Sequence, residues 1–510
     1  MMKNTLVPFL FVLFAVRTFA SGYDIKTSSV IDQPDVKVLG WYNGSWYAVG
    51  FEKPGTLNKP PRYKLFKYSE GFKSGKISVL YPSFGDKTLY LNAEIIHNKI
   101  SLFYASCEKL AEFVDLLDAR EGHRQIAHIF RQDFDPNTLE ADGEPKEIFN
   151  EGDDYFSSCG IEIAQSNDKT KTALLVKCYY RNQKYKLIVT DNQLGQIYSR
   201  SFDFKQTKEY FRFLQLKVTN EGNVFFVAKV RDDVVTLSQN NSKEQSTYYL
   251  YTVDKDELKP KFITLISPAG KDRTFTEPLA EALNNGELAL AYDFFGTAKA
   301  ATVKGTCVMR YDAALNQKAT KDFLPDAKFA AQAETYLANK KENKFAHLQT
   351  ERIVPLAGGG LILLQEYRNV VRTNPKDTMG IIERHYVIAS RFDESLNLTA
   401  QNFIAKRQSS STVAYAFSAQ AFAKGNDVFL FYNDDWETDG EHSMNLLCTN
   451  LKADGSIVET KKVLRTSEDF YTNMQAIFSG TNGKVLFAEQ RLVEYGDITR
   501  EVKLLEITVK

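Results

Sequence analysis

The sequence predicts an all-β protein built from eight repeated units, each of four short antiparallel strands, and three observations carry that prediction. An apolar alternating run, a Gly/Asn turn and a strongly hydrophobic run recur eight times along the 510 residues. The hydrophobic runs are short, β-branched and aromatic, in a chain with 36 Phe and 26 Tyr, the composition of residues that fit a pleated sheet. The turns carry residues that tolerate positive φ, which tight hairpins between twisted strands require.

Taken in chain order, the turns between first and second strands fall at Asn43-Gly44, Asn98-Lys99, Asn167 to Thr170, Asn220 to Asn223, Asn284 to Glu287, Ala357 to Gly360, Lys424 to Asp427 and Gly480 to Lys484. Second strands follow as "SWYAVGF", "ISLFYAS", "TALLVKC", "VFFVAKV", "ELALAYD", "LILLQEY", "VFLFYND" and "KVLFAEQ". Third strands include "RYKLFKY", "YKLIVTD", "YYLYTVD", "CVMRYD" and "HYVIASRFD". Turns such as "DPNT", "DNQLG", "DAALN", "DESLN" and "ADGS" lead to the fourth strands, and their leading aspartates read as turn formers that accept a backbone N–H two residues on.

Eight such units, each unable to bury both of its faces alone, resemble the blades of a β-propeller over essentially all of residues 22 to 510. The resemblance is to the fold. WD40 Gly-His and Trp-Asp signatures, kelch double glycines and sialidase Asp boxes are missing, so no catalytic residue is carried across. The eighth unit has three strands, ending in "REVKLLEITVK", and an orphan strand "DIKTSSVI" opens the mature chain. The expectation is an eight-bladed propeller closed by the N-terminal strand joining the last blade, which removes an open seam. Seven blades, with one unit misread, is the alternative.

Residues 1–20 read as a secretory signal peptide: Lys3, an apolar run from Leu6 to Val16, then small residues up to Ala20. Residues 21–510 then form a single exported domain, periplasmic or extracellular. No later run approaches the roughly 20 apolar residues of a transmembrane span. With 64 basic and 64 acidic residues evenly spread, the electrostatic footprint of a nucleic-acid binder is absent. Five cysteines exclude a disulfide scaffold. Cys159 and Cys178 face each other across the first hairpin of the third unit, so one disulfide is open to them, whereas Cys307 and Cys448 read as buried small hydrophobes.

The long loops all fall on one rim, where second strands turn into third strands and blades connect, and scaffolded loops commonly carry function. Leu110 to Arg120 and Phe329 to Lys341 look helical there, as lids or as edge packing. Aromatics repeated at blade junctions, as in "GDKTLY" and "SEDFY", wedge blades together or grip a ligand. Second strands end on this rim in Asp293, Glu366, Asp434 and Glu489, a half-ring of carboxylates that is the candidate catalytic set. Arg231, Arg368 and Arg491 lie nearby as candidate ligand-binding residues, together with Trp436. In the rim loop "NDDWETDGEH", Asp435, Glu437 and Asp439 precede Gly440 with the alternating donors that begin a calcium loop, but Leu446 stands where a closing glutamate belongs. Calcium is thus the one cofactor raised, and otherwise none is expected.

The sequence favours a non-catalytic exported propeller that binds a protein or glycan through its long-loop rim. Two alternatives accompany it: a polysaccharide hydrolase or lyase using the rim carboxylates, and a structural subunit of a cell-envelope complex.

Overall fold

The computed structural model describes residues 23–28, 31–32, 35–52, 62–80, 88–107, 127–149, 158–179, 183–191, 195–203, 210–231, 246–253, 261–265, 276–295, 303–336, 345, 347–371, 381–410, 419–438, 441–465, 470–479, 483–491 and 501–509. They form eight antiparallel sheets in a ring, an eight-bladed β-propeller. Their first strands are Asp35–Tyr42, Thr88–Ile96, Ser158–Gln165, Tyr210–Val218, Leu279–Ala282, Leu348–Pro355, Ala419–Lys424 and Phe470–Ser479. Each first strand touches the next around a closed circle, with the eighth returning to the first. The first strands therefore surround a central channel, and the fourth strands lie outermost. Among the described residues no helix is long and apolar enough to cross a membrane.

The near-continuous hydrophobicity of the second strands follows from this geometry. Side chains alternate across a strand, and in a propeller both faces meet a neighbouring blade. In blade 4, Val224, Phe226 and Ala228 pack with blade 3, while Phe225 and Val227 pack with blade 5. Each of the eight blade interfaces holds its own apolar cluster, so the core is eight layers rather than one centre.

The described turns work as the sequence predicts, with one shift, and residues 480–482 of the eighth lie outside the described residues. Asn43 and Gly44 both have positive φ, 44° and 75°, as a two-residue hairpin turn matched to strand twist requires. In blade 2 the turn is His97-Asn98, with φ of 51° and 63°, one residue earlier than expected. The turn aspartates are formers of backbone structure: Asp312 accepts from the N–H groups of Ala314 and Asn316, Asp393 from those of Ser395 and Asn397, and Asp454 from that of Ser456. These bonds hold their carboxyls below the usual range.

Closure is as expected. Tyr23–Thr27 pairs antiparallel with Glu501–Val509, from Tyr23 opposite Val509 to Thr27 opposite Leu505, and so supplies the outer strand of blade 8. Ile31 and Asp32 extend the ladder opposite Val502 and Glu501, and Ser28 exchanges two hydrogen bonds with Leu504. The seam between blades 8 and 1 is also stitched internally, where the Trp46 indole donates to buried Glu506 at 2.6 Å.

Cys159 and Cys178 stand directly opposite in the ladder of blade 3, and Cys307 and Cys448 are buried free thiols. Of the junction aromatics, Tyr90 packs against Tyr63 of blade 1 at 5.7 Å and acts as a wedge. Of the two expected helices, the second is partly present as a 3-10 turn Ala327–Phe329 running into Ala330–Glu334. The first, Leu110 to Arg120, lies outside the described residues, as do residues 1–20.

Candidate functional site

The four acidic residues do lie toward the rim on second strands of four successive blades, Leu288–Phe295, Leu361–Tyr367, Asp427–Thr438 and Lys484–Arg491, with Asp434 four residues short of its strand's end. What surrounds them differs from the solvent-facing half-ring that the sequence suggests. Asp293 is 1% exposed and accepts from the Thr306 hydroxyl at 2.6 Å, and from the Thr350 amide and hydroxyl at 2.6 and 2.7 Å. Because Thr350 sits on the first strand of blade 6, Asp293 staples blade 5 to blade 6. Burial pushes its carboxyl up, against the pull of these hydrogen bonds.

Glu366 is 2% exposed and lies between two cations, Arg384 and Lys406, one for each carboxylate oxygen. Lys406 follows the outer strand Leu398–Ala405 and is wholly enclosed; it also donates to the Gln408 amide oxygen at 2.7 Å. Arg384 reaches Glu351 at 3.5 Å as well. Burial lowers the Lys406 ammonium and raises the Glu351 carboxyl, while each one's oppositely charged neighbour opposes the shift. The set is two acids against two bases, charge-balanced in a place where an unpaired charge is costly.

Glu351 is the sequence signal that the strand-end reading missed. First strands of blades 1, 2, 4 and 6 each carry a bulge at one residue: Leu39, Leu91, Leu214 and Glu351. In three blades that residue is a leucine packed into an interface. Only blade 6 among these has an acid there, and the acid feeds the buried cluster. Lys406, Arg384 and Gln408 could not be found by strand-end position, because they lie just outside strands, Arg384 before the third strand of blade 6 and the other two in the crossover that leaves it.

Over the cluster lies an aromatic cap. His385 stacks on Tyr367 at 5.5 Å and faces Tyr336, which follows the short helix; the Arg407 guanidinium covers Tyr336 at 5.5 Å. Phe329 and Ala333 of the helix region pack on Leu348, Tyr367 and Tyr386, so this insertion covers the rim end of blade 6. Burial, reinforced by the charges of Lys406 and Arg407, lowers the His385 pKa to about 4, and the ring is neutral at pH 7. Since the folded value lies below the ordinary 6.5, the unfolded chain binds the extra proton between those limits. The resulting stability is complete above about pH 6.5 and falls away as pH drops towards 4. About 3 kcal/mol is at stake. Urea unfolding at pH 7 and pH 4.5 should show His385→Phe losing distinctly less stability on acidification than the parent; equal losses would refute the assignment.

In the rim stretch 433 to 442, residues 433–438 and 441–442 form paired strands and not the loop that the composition suggests. Asp427–Thr438 pairs with Glu441–Leu451 throughout, with Trp436 opposite Ser443 and Glu437 opposite His442. The backbone of Asp435 and Glu437 is extended there. The described part of the first strand of this blade reaches Tyr432, and that of the fourth reaches Asn445. From Asn433 to Thr438 and from Glu441 to Met444 the two strands of the hairpin pair with each other, with no other described strand beside them. Its base is held rigidly: the Gln408 amide donates to the Asn433 carbonyl at 2.8 Å, and the Arg407 N–H to Asp434 at 2.6 Å. The connection between blades 6 and 7 thus ties the buried charge cluster to the foot of the hairpin.

A second projection stands beside it. Within the expected long loop of blade 6, Asn369–Val371 pairs with Ile381–Glu383, and Ser409–Ser410 joins as a third strand. Arg368 lies at the foot of this small sheet, its N–H bonded to the His347 carbonyl. The side chains of Trp436, Asp435, Glu437, Glu489, Arg231 and Arg491, and the whole of Asp439, lie outside the described residues.

No family model matches the chain, and no curated relative matches its sequence. Among solved structures it is similar to prolyl oligopeptidase B from Galerina marginata, at 10% identity and TM-score 0.38, over 92% of this chain and 56% of that one. It is similar to a post-proline cleaving enzyme from Rickettsia typhi at 10% identity and TM-score 0.38, over 90% of this chain and 58% of that one. The WD40 domain of SCAP from fission yeast is similar at 8% identity and TM-score 0.41, over 96% of this chain and 98% of that one. The chain spans a little over half the length of those two peptidases. These likenesses are of overall shape and carry no activity to this chain.

Proposed function

We propose that this chain is an exported, non-catalytic binding propeller that captures an extended segment of a protein partner on the blade 6 and 7 sector of its long-loop rim. The observation that supports this reading is the overhanging hairpin. Twelve residues run in Asp427–Thr438, against seven to nine in the second strands of the other blades. A strand edge with no described strand beside it offers main-chain donors and acceptors to an incoming strand, and its side chains add selectivity. The buried cluster below keeps the hairpin in place, which lowers the ordering cost of binding. Trp436 is the side chain proposed for partner contact.

The polysaccharide-hydrolase alternative has less support. Asp293 and Glu366 are closed off by threonines and cations rather than opened to a cleft, so neither is disposed as general acid or base. The deciding experiment joins Asp434 to Asn445 by an Asn-Gly turn, deleting the overhang while keeping the register of the blade. Crosslinking in native cells followed by mass spectrometry should show the partner bound to residues of the hairpin in the parent. Both the shortened protein and Trp436→Ala should lose that crosslink while melting at the parent temperature. A partner retained undiminished by the shortened protein would overturn the assignment.

A further inference from the structure

At the end of the channel opposite the long-loop rim, the turns between first and second strands are laced together by asparagines. The Asn167 amide of blade 3 donates to the Ala282 carbonyl and Asn284 side chain of blade 5, Asn284 donates to the Leu356 carbonyl of blade 6, and Asn426 of blade 7 accepts from the Gly358 N–H. Inside this lacing lies a cavity of about 460 Å³, walled by the first strands of blades 5, 6 and 7. That is enough room for a small organic molecule. Val354, Pro355, Phe422 and Ala423 give it an apolar wall, and Glu281 and Arg352 bring charge.

The two charges are not equivalent. Glu281 is held by Lys217 of blade 4 at 2.7 Å. Arg352 makes no hydrogen bond or ion pair with any described residue, although it is half-buried. Its counterparts behave differently. At the position just after the first-strand bulge, Asn92 accepts from Lys37, and Gln215 both donates to the Pro278 carbonyl and accepts from the Ala280 N–H. Those side chains stitch first strands to one another. Arg352 is instead a guanidinium that lines the cavity with no described hydrogen bond to its fork; Glu281 and Glu351 attract it only from beyond ion-pair distance, and N–H donors left open in a half-buried site favour an anion that can bond them.

We infer that this cavity binds a monocarboxylate with a small apolar body, the carboxylate on Arg352 and the body against Val354, Phe422 and Ala423. A planar carboxylate matches the guanidinium fork in two parallel hydrogen bonds. Glu281 on the adjoining strand, held by Lys217 and also acting on Arg352, disfavours a second negative charge. The carboxylate comes either from a free organic acid or from the C-terminus of a peptide entering the channel mouth. The inference concerns the face opposite the rim and stands independently of the partner proposed there.

The test is titration calorimetry of the full mature chain with benzoate, with benzamide as the uncharged control, and with the tripeptide Gly-Ala-Phe as free acid and as amide. Saturable binding of benzoate or of the free-acid peptide, with benzamide and the peptide amide at least about tenfold weaker, is the expected result. Benzoate alone marks a free acid as ligand, and the peptide acid alone marks a chain terminus. Arg352→Gln should weaken the binding about tenfold or more. Should that variant fail to fold, Ala423→Leu fills the cavity from the apolar side and should block binding at an unchanged melting temperature. The inference is overturned when neither acid binds the parent, when the amides bind equally well, or when the folded variants retain the parent affinity.

Discussion

Glu366→Leu will destabilise the fold by about 3–5 kcal/mol, although it replaces a charge by an apolar side chain in a strand whose every residue is buried. The loss comes from the partners left behind. Lys406 is fully enclosed and Arg384 nearly so, and both direct their charge at Glu366. Removing the carboxylate leaves two cations with only Glu351 and the Gln408 amide oxygen to face. The second substitution Lys406→Met removes one orphaned cation and should restore part of the lost stability, a coupling that a double-mutant cycle in urea measures directly. A loss below about 1 kcal/mol in Glu366→Leu, or no recovery in the double variant, would show that the cluster is screened by water rather than closed. This prediction also separates the structural reading from the catalytic one, because an acid whose job is chemistry can be replaced with little cost to stability.

Deleting residues 21–32 will leave blade 8 with three strands and expose the edge of Glu501–Val509. Each ladder bond contributes about 0.5–1.5 kcal/mol net, so losing the whole outer strand destabilises this blade by several. The larger consequence is association. The uncovered strand carries buried apolar residues such as Leu505 and Ile507 and an unpaired backbone edge, the usual template for edge-to-edge pairing. Size-exclusion chromatography with light scattering should show the 33–510 chain as oligomers melting well below the 21–510 chain. A synthetic peptide of residues 21–33 supplied in trans should return it toward the monomer. A monomeric 33–510 chain with the parent melting temperature would mean that Trp46–Glu506 and the apolar interface between blades 8 and 1 suffice to close the ring.

Both predictions concern features that stood at different depths in the sequence. The closing strand was legible, because "DIKTSSVI" is a strand without a hairpin partner and the last unit lacks one strand. The turn aspartates were legible too, since their chemistry acts over two to four residues and needs no tertiary context. The hairpin at 433 to 442 misled in the other direction. Five acids and a tryptophan read as a solvated loop, yet the ladder continues out to Thr438 opposite Glu441 because each described residue there finds a partner on the returning strand. Glu351 could have been noticed by aligning the first strands of the repeats, where it replaces a leucine. Nothing local marks Lys406, which is one of 64 basic residues and follows an ordinary outer strand.

The sequence by itself determined the eight units, the order of strands within each and the closure by the N-terminal strand. Periodicity and turn chemistry are local, and a period of two with tight turns leaves few alternatives once the repeat is seen. Only the tertiary structure decided which polar residues are enclosed and which face open space. Asp293 and Glu366 end their strands in equivalent positions, but one meets a threonine of its own blade and one of the next, and the other meets Arg384 from within its own blade and Lys406 from the crossover that leaves it. Arg352 and Gln215 share a position after a bulge, and one is left facing a cavity while the other is bonded to its neighbour. The physical reason is that burial and pairing depend on side chains far away in sequence, which the ring brings together only when its last blade is joined to its first.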